Sequence, residues 1–272
     1  MTFYKMLSLK NDYLVTDYLK NIDYKEVSKK ICNRITGVGA SALIVCKKEP
    51  FEILVYNNLG EEVDANLEML AIFTRYVYEL KYVTKRGFEI FNHTHKENVT
   101  IDNLSPFVVS ITPHSKASYE KAMMSMHTHL EVFGRVVGIN DIKITTYPLY
   151  FYGIHTIVFV DDFNSKSVEY KKLIAKDPIY TKPSLIDFVK IIDKKTIEVK
   201  AYNIIDDSIK DNLTSAMSSL YVMNKLGMVK NKINVKFEYG TTALELDKTG
   251  FCKTSIEVNR LFKIDIDDIL LN

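Results

Sequence analysis

The sequence is poor in cysteine and has no long apolar run near its start. Three cysteines among 272 residues, Cys32, Cys46 and Cys252, are too few and too scattered for a disulfide framework or a cysteine-based metal site. An odd number of cysteines fits a reducing compartment, and we expect Cys32 and Cys46 to be buried structural thiols. The opening segment MTFYKMLSLKNDYLVTDYL lacks the pattern of a signal peptide or a membrane span. These observations predict a cytoplasmic protein.

Neither positive nor negative charge predominates in the sequence. The 36 basic and 34 acidic residues give a net charge of +2, and the lysines are spread among the acids, so no nucleic-acid or membrane partner is predicted. Apolar residues make up 47% of the chain, as in a folded globular protein. A length of 272 residues is enough for two domains with cores of their own.

The hydrophobic period alternates between two and 3.6 along the chain. In the first half a helix is predicted around Val27, with Asp23 and Glu26 at capping-box spacing, followed by two strands. The segment Leu67–Leu80 is apolar nearly all round, which is typical of a helix enclosed by sheet. The second half repeats this order with TSAMSSLYVMNKLG as its apolar helix, so we predict two similar units, residues 1–116 and 117–272.

Each apolar helix is preceded by an acidic residue and an Asn-Leu pair. The two stretches are VDANLEM at 63–69 and IKDNLTSAM at 209–217. Helix N-termini leave N–H groups unpaired and carry partial positive charge, so a matched pair of them suits an anionic ligand such as a carboxylate. The same residue types also serve as helix caps, and for either loop alone this second interpretation stays open.

Several segments together resemble the diaminopimelate epimerase family. YKMLSLKNDYLVTD resembles the family's K-M-x-G-x-G-N-D-[FY], and CNRITGVGASALIV resembles its D-R-H-x-G-I-G-A-D-G-L-I segment. VYNNLGEEVDANLEMLAIFTRYVYE and AYNIIDDSIKDNLTSAMSSLYVMNKLGMV are similar to the family's two cysteine segments, and GIHTIVFVDD to its G-N-P-H…V-D-D stretch. The resemblance implies an α+β fold of two pseudo-symmetric domains, each a mixed β-sheet wrapped around a central helix, with the site in the cleft between them.

The family's chemistry does not transfer with the fold. Its members invert an amino-acid α-carbon without a cofactor, using two cysteines as the two bases. Here the two cysteine positions fall on Asn66 and Asn212, and an amide cannot exchange a proton near neutral pH. The family's Gly-Asn-Gly after the first cysteine is replaced by Leu67-Glu68-Met69. Thiol-based racemisation is therefore excluded for this chain.

Some of the family's substrate-binding positions are retained. The resemblance implies that Asn11, Asn57, His155 and Thr214 contact the substrate, although each also has an interpretation as a turn or capping residue. The resemblance also places Asn66 and Asn212 in that pocket. No cofactor is implied, and the expected ligand is a small amino acid or carboxylate.

Carboxylates are the remaining candidates for proton transfer. KDNLTSA resembles the D-P-x-T-G-S-A loop of the phenazine-biosynthesis isomerase branch of this superfold, in which the aspartate helps in proton transfer, and Asp211 matches that aspartate. The glutamate that this branch carries in its first half has no counterpart near Ala40 and Ser41. Asp64 and Glu68 are the acids of the first loop, so Asp211, Asp64 and Glu68 are the catalytic candidates. Both aspartates could instead simply favour helix N-termini.

The His-Thr-His triplets at 93–95 and 127–129 could each place two metal ligands on one face of a strand. No carboxylate or cysteine stands at a matching interval, so no metal site is predicted.

The sequence does not decide between two functions: a cofactor-independent isomerase that uses carboxylates in place of thiols, and a catalytically inactive relative that binds a small amino acid or carboxylate. A structural paralogue is the third hypothesis, and a homodimer is compatible with each.

Overall fold

The computed structural model describes residues 1–93, 95–125, 133–139, 142–163, 165–177, 180, 185–203, 209–210, 213–237 and 240–267. The chain divides into two compact units. The first contains Met1–His114 together with Thr254–Asn272, and the second contains Ser115–Lys253. The predicted domains, residues 1–116 and 117–272, would instead leave the C-terminal segment with the second half. Among the described residues no helix is long and apolar enough to cross a membrane.

The first unit is built from strands and two helices. Its elements are β1 (Thr2–Ser8), β2 (Asn11–Asp17), α1 (Tyr24–Ile31), β3 (Ala42–Lys48), β4 (Phe51–Asn57), β5 (Glu62–Val63), α2 (Leu67–Glu79), β6 (Gly87–Asn92), β7 (His95–Leu104) and β8 (Phe107–Thr112). The last strand of the chain, β17 (Cys252–Asp265), joins this unit from Thr254 onward.

Eight strands of the first unit form a closed ring. Following the pairings around it, β1 is antiparallel to β2, β2 parallel to β3, β3 antiparallel to β4, and β4 parallel to β6. Then β6, β7 and β8 pair in antiparallel order, and β17 pairs with both β8 and β1. Because β17 fills the last position, the ring closes only with the C-terminal strand in place.

The helix α2 lies inside this ring and contacts five of its strands, β1, β2, β3, β7 and β8. Its buried side chains lie on all sides of the helix axis. A helix whose sequence has no polar face needs to be covered on all sides in this way. The prediction of a helix enclosed by sheet at Leu67–Leu80 is therefore confirmed. The shorter α1 is amphipathic and packs Tyr24, Val27 and Ile31 into a separate cluster outside the ring, against β3 and β4.

The second unit repeats this arrangement. Its described elements are α3 (Tyr119–Ser125), β9 (Arg135–Ile139), β10 (Ile142–Tyr150), β11 (Ile154–Phe159), α4 (Ser165–Lys176), β12 (Leu185–Asp193), β13 (Thr196–Asn203), β14 (Ile209–Lys210), α5 (Leu213–Lys225), β15 (Lys232–Phe237) and β16 (Gly240–Leu246). The apolar α5 is buried and contacts β10, β11, β12, β13, β15 and β16.

Six strand pairings of the first unit have counterparts of the same direction in the second. In the first unit β1–β2, β3–β4, β4–β5 and β6–β7 are antiparallel, while β2–β3 and β4–β6 are parallel. In the second, β10–β11, β12–β13, β13–β14 and β15–β16 are antiparallel, while β11–β12 and β13–β15 are parallel. The predicted α+β fold, with a central helix and a mixed sheet in each half, is confirmed.

Candidate functional site

The first candidate position is the N-terminus of α2. Asn66 is its N-cap in an extended conformation, and its Oδ1 accepts a hydrogen bond from the Met69 N–H at 2.9 Å. The preceding residue, Ala65, is held by the buried side chain of Asn92, whose Oδ1 accepts from the Ala65 N–H at 3.2 Å and whose Nδ2 donates to the Ala65 carbonyl at 2.9 Å. Asn66 is thus an exposed residue on a firmly held helix start.

Glu68 lies beneath this helix start and is only 4% exposed. Its Oε2 accepts a hydrogen bond from Asn11 Nδ2 at 2.9 Å, and the Tyr13 hydroxyl lies 3.5 Å from the same oxygen. Burial, followed by the charge of Glu68, raises the pKa of Tyr13 well above its ordinary value. The phenol therefore stays protonated and faces Glu68 as a donor. Asn11 and Glu68, two of the predicted site residues, are in direct contact.

The other two candidates of the first half are not joined to this network by any described hydrogen bond. Asp64 has an 84% exposed side chain that lies 3.2 Å from His93 Nε2. Asn57 organises its own turn, since its Oδ1 accepts from the N–H groups of Leu59 and Glu61 and its Nδ2 donates to Glu61 Oε2. The substrate contact predicted for Asn57 therefore remains a prediction, beside an observed role in the turn.

In the second unit the first turn of α5 carries Thr214, which is buried, and the fully buried Ser215. Beneath this turn the ring of His155 is held on both sides: Nε2 lies 3.1 Å from the Phe151 carbonyl, and Nδ1 lies 2.7 Å from Asp187 Oδ2. A carbonyl can only accept, so Nε2 carries a hydrogen. The Ser215 hydroxyl adds a longer contact of 3.4 Å to Nδ1. His155 is buried with both ring nitrogens occupied by the protein.

Asp211 and Asn212 lie outside the described residues, as does the second His-Thr-His triplet at 127–129. Of the first triplet, His93 faces Asp64, while the His95 ring stacks on that of His114 with centroids 4.0 Å apart. Within the described ranges no group of three histidine, cysteine or acidic side chains is placed to hold a metal ion.

Sequence reasoning did not identify several residues that shape these two sites. They are Tyr13, Asn92, Asp187 and Ser215. Tyr13 directly follows the Asn-Asp pair of the family motif and could have been noticed there. Nothing in the local sequence separates Asn92 or Asp187 from ordinary strand residues, because their partners stand 27 and 32 positions away. Only the strand register places them under the helix starts.

The cysteines are all free and buried, which confirms the prediction for Cys32 and Cys46. Burial raises the pKa of Cys32 to about 11 and that of Cys46 and Cys252 to about 12. The thiolate is the reactive form, so these groups are poor nucleophiles and poor bases near neutral pH.

Asp12, beside Asn11 on β2, ties the segment after α1 to the ring. Its carboxylate lies 3.0 Å from Lys5 Nζ and 2.5 Å from Arg34 Nη2. Burial raises the pKa of Asp12, but the hydrogen bonds and charges of Arg34 and Lys5 outweigh it and bring the pKa down to about 2. The ion pair fixes the strand on which Asn11 stands.

Comparison with curated proteins gives diaminopimelate epimerases. That of Caldanaerobacter subterraneus subsp. tengcongensis is 25% identical over 287 aligned residues, which cover 98% of this chain and 100% of the relative. That of Clostridium perfringens is 22% identical over 258 residues, covering 92% of this chain and 94% of the relative. No family model matches the chain.

Several solved structures share the fold. Methylitaconate-delta-isomerase matches with a TM-score of 0.69 at 9% identity, covering 100% of this chain and 97% of that one. A hydroxyproline epimerase from Agrobacterium vitis, with bound trans-4-OH-L-proline, matches at 0.67 with 7% identity, covering 97% and 91%. A Bacillus anthracis phenazine biosynthesis protein matches at 0.61 with 10% identity, covering 98% and 99%. The predicted resemblance to the diaminopimelate epimerase-like superfamily is confirmed: the curated relatives are diaminopimelate epimerases, and solved structures of an epimerase and an isomerase share the fold.

The buried thiols lead to a first prediction. A pKa of about 11 leaves roughly one thiol in a thousand ionised at pH 8. Iodoacetamide at pH 8 should therefore add at most traces of label to the native protein, and three labels after unfolding in urea, as counted by intact mass. Rapid native labelling of Cys32 or Cys46 that also abolishes ligand binding would mean that a thiol belongs to the site.

Asp12 leads to a second prediction. Its folded pKa of about 2 lies below the ordinary 3.8, so its contribution to stability is complete above about pH 4 and is lost as the pH falls towards 2. Arg34 is mostly exposed, so we expect a contribution of about 1 kcal/mol. Urea unfolding should show Asp12→Asn to be less stable than wild type by about this amount at pH 7. The difference should shrink between pH 4 and pH 2, and a constant difference would refute the ion-pair origin.

Proposed function

Because the chain shares the diaminopimelate epimerase-like fold over its whole length, we propose that it is a cofactor-independent isomerase of racemase or epimerase type with altered chemistry. Its ligand is a small amino or carboxylic acid, and carboxylates replace the thiols of its relatives. The observation that carries this proposal is the buried Glu68, which contacts Asn11 at the start of the central helix α2. The unpaired, buried cysteines support a cytoplasmic location.

Glu68 suits proton transfer better than Asp64 does. A general acid or base acts best when neighbouring groups fix its position and bulk water is excluded. Glu68 has both conditions, since Asn11 holds one oxygen and little of the side chain is exposed. Asp64 is open to solvent and faces His93. We therefore assign the role of the first general acid or base to Glu68, and Asp64 serves as the comparison in the test below.

A two-base inversion needs a second titratable group. We assign this role to Asp211 on its match to the aspartate of the phenazine-biosynthesis branch. Asn212 and Thr214 follow it in the sequence, and Thr214 stands in the first turn of α5. In this proposal His155 supports the start of α5 from below, because both of its ring nitrogens are engaged by Asp187 and Phe151.

A second candidate function is that of an inactive relative that binds the same class of ligand or serves as a structural subunit. It is favoured by Asn66, whose side-chain oxygen caps α2 at a position where relatives carry a thiol. An asparagine amide keeps the capping role and has no proton to exchange. The two candidates differ in whether any ligand that binds is also turned over.

The test begins with a thermal-shift screen of L- and D-amino acids and small carboxylic acids. Ligands that bind are then incubated with the protein in deuterated water, and α-hydrogen exchange is followed by NMR. Glu68→Gln keeps the size of the side chain and an oxygen that can accept from Asn11, but it removes the titratable group. Asp211→Asn likewise removes the titratable group at position 211. Each change should lower exchange roughly 100-fold or more with little loss of affinity.

Asp64→Asn is the matched comparison and should change exchange by no more than about threefold, since an exposed carboxylate contributes little. A large loss in Asp64→Asn together with full activity in Glu68→Gln would reverse the assignment. If wild type binds a ligand tightly but does not exchange its α-hydrogen, the protein is the inactive relative.

The reaction of the curated relatives gives a separate prediction. Asn66 and Asn212 stand at both thiol positions, so diaminopimelate should gain no α-deuterium above a no-protein control, even at high protein concentration. Incorporation into one or both α-positions, measured by mass spectrometry, would show that the ordinary family reaction is retained by other groups.

A further inference from the structure

A cavity of about 450 Å³ lies at the end of α2 opposite to Asn66. Its residues come from the last turn of α2, from the following loop and from the β7–β8 hairpin. The helix has 13 residues, so at 1.5 Å per residue its two ends are about 18 Å apart. The volume is within the usual range for small-molecule sites, and the cavity is separate from the candidate site described above.

One side of the cavity is apolar. Phe107, at the start of β8, is buried with its ring centroid 6.0 Å from that of Tyr78. Leu104, at the end of β7, is 43% exposed, and Val83, which also lines the cavity, is partly exposed. A ligand with an apolar body would cover these two side chains.

The other side carries hydrogen-bond donors. Lys81, Thr84 and Tyr78 line the cavity. Within the described ranges none of their side chains makes a hydrogen bond or an ion pair with the protein. Lys81 has a φ of 60°, so its backbone conformation is the left-handed one that ends the helix. The chain thus places a cation and two hydroxyls beside an apolar surface.

The groups in and around the cavity that could attract a cation already interact with other parts of the protein. The carboxylate of Glu79 is held by Arg75 Nε at 2.8 Å and by Arg260 Nη1 at 3.3 Å. The face of Phe107 is covered by the Arg75 guanidinium, 5.1 Å from the ring centroid. The carbonyls of Val77 and Tyr78 accept hydrogen bonds from the loop that follows the helix. The charge that remains available in the cavity is the positive charge of Lys81.

We propose that this cavity binds a small amphipathic carboxylate, with its carboxylate on Lys81 and Thr84 and its apolar body against Leu104 and Val83. Charge-assisted hydrogen bonds to the ammonium fix the head group, and burial of the apolar body supplies the rest of the affinity. The site is independent of the chemistry at the start of α2.

The proposal is tested with benzoate as the probe, using calorimetry and amide chemical shifts of the full chain. Benzoate should bind wild type saturably and shift the amides of Val83 and Leu104, whereas benzamide and benzylamine should bind at least tenfold more weakly. Lys81→Met should weaken benzoate roughly tenfold or more, because a charge-assisted contact is lost. Lys20→Met, an exposed lysine elsewhere in the first unit, is the matched control and should leave affinity unchanged.

A second variant, Leu104→Asp, places a negative charge at an exposed position of the cavity and should abolish benzoate binding while the thermal unfolding midpoint stays near that of wild type. Three results would each overturn the proposal: no saturable binding of benzoate by wild type, equal affinity in Lys81→Met and wild type, or tighter binding of benzylamine than of benzoate. Shifts confined to residues 65–69 would assign benzoate to the other end of α2 and would also overturn it.

Discussion

A helix enclosed by sheet on all sides must satisfy its terminal N–H groups within the protein, and the first unit is organised around this requirement. The apolar surface of α2 is covered only when the ring of strands is complete, and the ring is completed by β17, which comes from the far end of the chain. The first unit therefore depends on a segment that follows the whole second unit in sequence. Its folding involves contacts of high sequence separation, which are costly to form early.

The same requirement explains why polar groups are buried at the starts of the central helices. At α2, Asn66 and Asn92 satisfy the backbone at the helix entry, and Glu68 faces Asn11 beneath it. At α5 the corresponding region holds Ser215, with the pair of His155 and Asp187 beneath the first turn. Buried polar networks of this kind hold their members in position through shared hydrogen bonds. They also keep charged and polar groups in position around a helix start.

Much of the fold could be predicted from periodicity, because an all-round apolar helix and short alternating strands leave local signals. The repeated order of these signals indicates the two similar units. The place of β17 has no local signal, since its partners β1 and β8 stand more than 140 positions away. The candidate site is harder to predict for the same reason: Glu68 is visible as an acid in a helix start, but its burial and its contacts with Asn11 and Tyr13 depend on the closed ring. Asp64, four positions earlier, looks equivalent in sequence and is exposed.

Asn66 shows how a structural requirement and a chemical one compete for a single position. Asparagine is among the strongest N-caps, typically about 1 kcal/mol better than a residue that cannot accept the hydrogen bond, and its oxygen makes that bond to Met69 here. A thiol at this position would be free for chemistry but would cap the helix poorly. The next residue, Leu67, is buried in the core, so the backbone beside the cap is covered by a side chain. The start of α2 therefore combines packing by Leu67 with capping by Asn66, above the buried carboxylate of Glu68.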